Sequence, residues 1–142
     1  MNKSSKYNTL FMDSAKLSSN MSYCKIKKVG CVIVKDNRII INSWNGTISG
    51  EGNCCETVMS DGILITKKTV VHAEANALSY AARKGISVDG ATLYVTLSPC
   101  YECSKLIIQS GIKTVIYNEE YRIKDAIEFL KSANIEVIKY EK

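Results

Sequence analysis

The chain has no apolar run near the roughly 18–20 residues of a membrane span, and no long run of like charge. Residues 1–8 are polar and lead into 9–21 without an apolar signal core or a small-residue cleavage site. Secretion and membrane anchoring are thereby disfavoured, and a cytoplasmic location is expected. Basic residues come in short clusters, Lys25/Lys27/Lys28 and Lys67/Lys68, rather than in an arm. The net charge of +5 suits anionic ligands but does not by itself indicate a nucleic-acid partner. There is no internal repeat, no low-complexity stretch and no linker that would split the chain. One domain spanning 1–142 is expected, large enough to bury a real core. Histidine and proline occur once each, as His72 and Pro99.

What is present is ordinary for a globular protein: 46% hydrophobic and 23% charged residues. Six cysteines without a signal sequence read as reduced thiols, some on a metal, rather than as a disulfide scaffold. Residues 7–21 predict a helix with Leu10, Phe11, Ser14, Leu17 and Met21 on one face. Residues 29–34 and 38–42 are apolar, β-branched runs, and the polar link Lys35-Asp36-Asn37 predicts an antiparallel hairpin. From 43 to 68 the pattern dissolves, and a loop that long is functional or carries short structure of its own. Helices follow at 73–84, 101–110 and 124–133, alternating with strands at 91–96, 114–118 and 136–139. Such alternation implies parallel strands with right-handed crossovers. The expected class is α/β, three layers, with a five-stranded mixed sheet carrying helices on both faces.

His72-Ala73-Glu74 opens one helix and Pro99-Cys100-Tyr101-Glu102-Cys103 the next. Two cysteines three apart at a helix start share a face, so both sulfurs can reach one ion. Helix N-termini stabilise thiolates. If the strands before these helices run side by side, both helices start at one sheet edge, where α/β proteins gather ligands. One imidazole and two thiolates leave tetrahedral zinc an open position, the pattern of a catalytic site. Glu74 is then free to move protons beside the metal. The H-x-E…P-C-x-x-C arrangement is that of zinc nucleobase deaminases. Other readings compete. Cys100-x-x-Cys103 also describes a thioredoxin-like redox pair, but that fold places a second proline opposite the cysteines. A structural zinc site could be closed by Cys54 or Cys55, and a core histidine with two buried cysteines could fall together by chance.

From about residue 23 to 138 the sequence resembles the deoxycytidylate (dCMP) deaminases of the cytidine deaminase superfamily. The matching segments are Val29-Gly-Cys-Val-Ile-Val-Lys-Asp-Asn-Arg-Ile-Ile40, Trp44-Asn-Gly46, Asn53-Cys54, His72-Ala-Glu-Ala-Asn-Ala-Leu78, Gly90-Ala-Thr-Leu-Tyr-Val-Thr-Leu-Ser-Pro-Cys100 and Leu106-Ile-Ile-Gln-Ser-Gly-Ile112. Tyr117-Asn-Glu-Glu-Tyr-Arg122, followed by Ala126-Ile-Glu-Phe-Leu130, narrows the match to the mononucleotide branch. The short length is similar to viral and bacterial members, some of which also accept dCTP; for a viral member the location is the host cytoplasm.

The resemblance implies zinc on His72, Cys100 and Cys103, water attacking C4 of the cytosine, and Glu74 shuttling protons as ammonia leaves. It implies backbone groups near Ala73 and Ser98 on the base, Asn45 on the sugar and phosphate side, and Tyr121 and Arg122 at the 5′-phosphate. Asn45 also reads simply as turn chemistry with Gly46. Related members carry a basic residue near position 26, where Ile26 stands between Lys25 and Lys27. The product dUMP would feed thymidylate synthesis. Family members are commonly hexamers, activated by dCTP and inhibited by dTTP at a Gly-Tyr-Asn-Gly loop, here Ser43-Trp44-Asn45-Gly46; Mg²⁺ would accompany a triphosphate. Several members hold a second zinc, but Cys24, Cys54 and Cys55 with no second histidine are too few for a closed site, so one zinc per subunit is expected. Cys31 reads as a core residue. Rival functions are a deaminase acting on a polynucleotide and a non-catalytic, zinc-stabilised nucleotide-binding module.

Overall fold

A computed structural model describes residues 2–121 and 123–141. Its elements are α1 (Lys3–Ser19), β1 (Gly30–Lys35), β2 (Arg38–Trp44), β3 (Glu56–Val58), β4 (Leu64–Thr66), α2 (Ala73–Lys84), β5 (Thr92–Leu97), α3 (Tyr101–Ser110), β6 (Thr114–Glu119), α4 (Asp125–Ser132) and β7 (Glu136–Lys139). The main sheet has the order β2-β1-β5-β6-β7. β1 is antiparallel to both β2 and β5, whereas β5, β6 and β7 run parallel. The expected five-stranded mixed sheet is therefore the observed one. The hairpin turns through Asp36 and Asn37, at φ 52° and 57°, the left-handed pair of a two-residue turn that short polar side chains tolerate. Within the long stretch after β2, β3 and β4 form a small hairpin of their own.

Alternation along the strands builds the layers, because successive side chains leave opposite faces of a sheet. Cys31, Ile33, Leu93, Val95, Val115 and Tyr117 face one way and pack with Ala73, Ala77 and Ala81 of α2, Ile107 of α3, and Ile127 and Leu130 of α4. Val32, Val34, Tyr94 and Ile116 face the other way and pack on Phe11, Met12 and Ala15 of α1. The sheet thus has three helices on one face and one on the other. Among the described residues no helix is long and apolar enough to cross a membrane.

Two expectations need correction. The helix at the start begins at Lys3, capped by the Asn2 side chain, which accepts from the Ser5 N–H at 2.8 Å. Its buried face is Phe11, Met12, Ala15 and Ser18, while Leu10, Leu17 and Met21 are 54%, 70% and 57% exposed. Ser14 is part-buried, leaving Phe11 as the one fully buried member of the anticipated stripe. The cause is close approach at Gly30: a Cβ there would collide with the Ala15 carbonyl oxygen and lie 2.6 Å from the Ser19 nitrogen. The helix turns its small residues to that contact, and the larger aliphatic side chains are carried outward. The second correction concerns thiols. Cys24 and Cys55, which are 31 residues apart, form a disulfide, while Cys31, Cys54, Cys100 and Cys103 are free. Proximity in the folded chain brings this pair together, and spacing alone carries no sign of it.

Gly30→Ala should lower stability by about 1–3 kcal/mol, the usual cost of forcing extra volume into a packed contact, read from the urea midpoint. Protein unfolded without reductant should show four reactive thiols and reduced protein six; six in both would remove the Cys24–Cys55 bond.

Candidate active site

Because β1 is antiparallel to β2 and to β5, those two outer strands run in the same direction, and their C-terminal ends lie at one edge of the sheet. β5 ends at Leu97, and Ser98-Pro99 lead into α3, whose N-cap is Cys100 and whose first turn carries Cys103. α2 reaches the same edge by a different route from the one the sequence predicts. No strand of the main sheet directly precedes His72; an antiparallel bridge between Gly46 and Val71 sets it beside the end of β2. His72 is the N-cap of α2. The Ser43 hydroxyl donates to the Ala73 carbonyl oxygen at 2.6 Å and ties the helix start to β2.

The two helix starts face one another. His72 Nδ1 lies 3.5 Å from Cys100 Sγ and 3.4 Å from Cys103 Sγ, and the three ligand atoms fall within 4.8 Å of one another. Bond lengths of about 2.3 Å to sulfur and 2.0–2.1 Å to nitrogen, at a tetrahedral angle, separate N and S by about 3.5–3.6 Å. The set therefore fits zinc. Its electrostatics suit an ion as well. A hydrogen bond from Cys103 foremost, then others from His72 and the Cys103 N–H, draw the Cys100 thiol down to about 4. Cys103, hydrogen-bonded to that thiolate and desolvated, is pushed up. His72 is raised, chiefly by its hydrogen bond to Cys100. The three groups share protons that a dication would displace.

Glu74, in the first turn of α2, is 4% exposed. Burial pushes its carboxyl up to about 7, opposed by a backbone hydrogen bond and by the His72 charge. Cys31, fully buried, has its thiol pushed well up by desolvation, in keeping with a core role.

A cavity of about 450 Å³ opens onto this set. Asn45, His72, Ala73, Glu74, Ser98, Cys100 and Tyr121 all line it, so most of the anticipated site residues converge; Arg122 lies outside the described residues. Cys103 stands behind the wall, 3% exposed. Ser98 joins the ends of the cavity: its N–H donates to the Glu119 carbonyl oxygen at 2.8 Å and its hydroxyl accepts from the Tyr121 N–H at 2.6 Å. Asn45 does more than turn the chain. Its Nδ2 donates to the Lys27 carbonyl oxygen, and its Oδ1 accepts from the Val29 N–H, both at 2.9 Å. Trp44, Asn45 and Gly46 also line a separate hollow of about 120 Å³ with Tyr23, Thr47 and Asn53, whereas Ser43 is buried against α2 and does not line it. Sequence reasoning missed Glu119 and Glu120 in the wall and left the choice between Lys25 and Lys27 open; it is Lys27 that lines the cavity. The sulfurs of Cys24 and Cys55 lie with Glu56 in a second cluster, but joined to each other they offer no thiolate.

The layered sheet and the paired helix starts are those of the cytidine deaminase fold. Residues 5–119 match the model of the cytidine and deoxycytidylate deaminase zinc-binding region. The chain is 36% identical to the deoxycytidylate deaminase of Enterobacteria phage T4, over 90% of this chain and 86% of that protein. It is 41% identical to that of Mycobacterium phage D29, over 78% of this chain and 92% of that one. The crystal structure of the dCMP deaminase from cyanophage S-TIM5 in complex with dCMP and dUMP superposes with a TM-score of 0.88 at 45% identity, covering 99% of each chain. The chain belongs to the deoxycytidylate deaminase family.

Metal-stripped protein should take up one zinc per chain, and His72→Ala or Cys100→Ser should leave dialysed protein near zinc-free, measured by elemental analysis. Full zinc retention by both variants would take the ion away from this set.

Proposed function

We propose that the protein converts dCMP and water to dUMP and ammonia in the 450 Å³ cavity. The observation that carries this reading is a buried carboxylate, Glu74, beside a three-ligand set in a cavity wall. A structural zinc site has no use for an unliganded acid there, and three protein ligands leave the open position of a catalytic ion. His72, Cys100 and Cys103 would hold the zinc. Zinc bound there supplies the Lewis acidity that makes water a competent nucleophile at neutral pH.

The chain's own groups do the rest. Glu74 takes a proton from the attacking water on a carboxylate oxygen and delivers it to N3 of the ring. It then takes the second proton as the new C4–O bond becomes a carbonyl, and gives it to the departing amine. A carboxyl raised by burial suits an acid and a base in turn, because its affinity for a proton lies near working pH. Ala73 and Ser98 are placed at the base end, and Tyr121 with Arg122 serves the 5′-phosphate. Asn45 holds the segment 27–29 in the wall, so its part is to position that segment as well as to meet the sugar side.

Regulation by dCTP and dTTP would use the hollow beside Trp44, since Asn45 lines both that hollow and the substrate cavity. Mg²⁺ would enter only with a triphosphate there. A single-domain cytoplasmic enzyme assembled as a homo-hexamer completes the reading; the exposed Leu10, Leu17 and Met21 supply apolar surface for subunits to cover. Its product would serve thymidylate supply.

Zinc-loaded protein should remove the cytosine absorbance of dCMP. Glu74→Gln should keep zinc and fold while kcat falls about 10²–10⁴-fold, the usual worth of a positioned acid–base group. Equal turnover by the variant would defeat the mechanism.

A further inference from the structure

The two helix starts that build the site are held in different ways. α3 follows closely on β5, and its N-cap Cys100 accepts through sulfur from the Cys103 N–H at 3.4 Å. α2 has neither support. Residues 67–72 separate it from β4, and its N-cap His72 makes no side-chain capping bond. An imidazole turned to Cys100 and Cys103 does not satisfy the free N–H groups of its own helix.

The end of β2 holds it instead. The Val71 N–H donates to the Gly46 carbonyl oxygen at 2.7 Å, and the Gly46 N–H donates to the Val71 carbonyl oxygen at 3.1 Å. The Ser43 hydroxyl donates to the Ala73 carbonyl oxygen at 2.6 Å, and the Asn76 side-chain amide donates to the Trp44 carbonyl oxygen at 3.0 Å. The contacts at 71 and 73 straddle His72, and those at 73 and 76 straddle Glu74. Ala73 is common to both pairs, and Ser43 is the side chain that ties it down.

Ser43 stands where the strand would otherwise place an apolar residue. Ile41, two positions earlier and so on the same face of β2, is in the core with Ala73 and Ala77. A hydroxyl buried on that face costs stability unless it is bonded, and Ser43 is 7% exposed. Its bond runs to the first turn of α2. Its neighbours Trp44, Asn45 and Gly46 line the 120 Å³ hollow, and Ser43 does not. The sequence places Ser43 with a ligand loop, whereas its contact places it with the helix that carries His72 and Glu74.

We infer that Ser43 is a positioning residue for the reaction: its hydroxyl fixes the first turn of α2 and, through Ala73, sets His72 and Glu74 against Cys100 and Cys103. The inference rests on the deamination reading, so its test includes a readout that needs no turnover. Ser43→Ala removes the hydroxyl and leaves the Ala73 carbonyl in the helical ladder, whereas Ser43→Thr keeps the hydroxyl. Ser18→Ala is the matched control. That hydroxyl, also on a residue 7% exposed, donates to the Ser14 carbonyl oxygen at 3.0 Å on α1, which packs on the opposite face of the sheet. Kinetics on dCMP, the thermal midpoint and the visible spectrum of the cobalt(II)-loaded protein are recorded for each.

Ser43→Ala should lose kcat about tenfold with KM changed less than about threefold, because a small misplacement of reacting groups is costly while the Asn45 and Ser98 contacts of the cavity walls stay intact. Its cobalt absorption should differ from that of the wild type, and Ser43→Thr should restore both. Ser18→Ala should lower the thermal midpoint as Ser43→Ala does, with kcat within about twofold and an unchanged spectrum. A Ser43→Ala protein with wild-type kcat and spectrum overturns the inference. So does an equal loss of kcat in Ser18→Ala, or a rise in KM with kcat unchanged in Ser43→Ala. Wild-type protein that does not turn over dCMP defeats the deamination reading alone, and the spectra then decide whether Ser43 sets the ligand geometry.

Discussion

His72 can meet Cys100 and Cys103 only because β1 lies antiparallel between β2 and β5. That one pairing makes two strands distant in sequence point the same way, and so delivers the start of α2 and the start of α3 to a common edge. Were β1 parallel to either neighbour, the two helix N-termini would sit at opposite ends of the sheet, some 20 Å apart for strands of ordinary length. Everything chemical depends on this placement. The helix starts supply free N–H groups and a favourable dipole for anions, which suits a thiolate as N-cap and a carboxylate in the first turn. The antiparallel hairpin at the beginning of the sheet is thus as much a part of the His72, Cys100 and Cys103 cluster as those residues are.

A second constraint fixes the depth of the cavity. Ser98 sits between β5 and Cys100 and binds the backbone of both Glu119 and Tyr121, so the end of β6 is held to the loop that presents the ligands. On the other wall Asn45 clamps the backbone at Lys27 and Val29 with a single amide. Both are short polar residues with two hydrogen bonds each, Asn45 through its amide and Ser98 through its backbone N–H and its hydroxyl, and both are buried enough that losing a partner would leave an unsatisfied group. The consequence is a cavity whose two walls are referred to the same sheet edge, so that a ligand spanning them is measured against a fixed length.

Most of the fold and the centre of the site were legible because they are written in local terms. Strand alternation, the Asp36-Asn37 turn and the His-x-Glu and Cys-x-x-Cys spacings each depend on residues within one turn or one strand of each other. What could not be read depends on contacts between segments far apart in the chain. The buried face of α1 does not follow its apolar content, because the missing Cβ at Gly30 draws the helix in at Ala15 and Ser19 and leaves Leu17 outside. The Cys24–Cys55 bond needs the long stretch after β2 to fold back on the segment before β1. Lys27 and Glu119 are separated by most of the chain, and nothing in either neighbourhood distinguishes Lys27 from Lys25 until the Glu56 carboxylate is seen to hold the segment's backbone. Arg122 belongs to the sequence argument alone.

The cavity assigns its carboxylates by solvation. Burial pushes Glu74, at 4% exposure, up to about 7, whereas Glu119, more than half exposed on its side chain, lies 2.7 Å from the Lys27 ammonium. The same functional group thus stands dry beside His72, Cys100 and Cys103 at one end of the cavity and wet in an ion pair at the other. A base that must gain and lose protons belongs at the dry end, beside the ligand set. A group that keeps its charge throughout is held at least cost at a wet end, where its desolvation penalty is small. The cavity is therefore graded along its length, dry at the helix starts and wet where β6 ends, so charge that must come and go and charge that stays have different places in it.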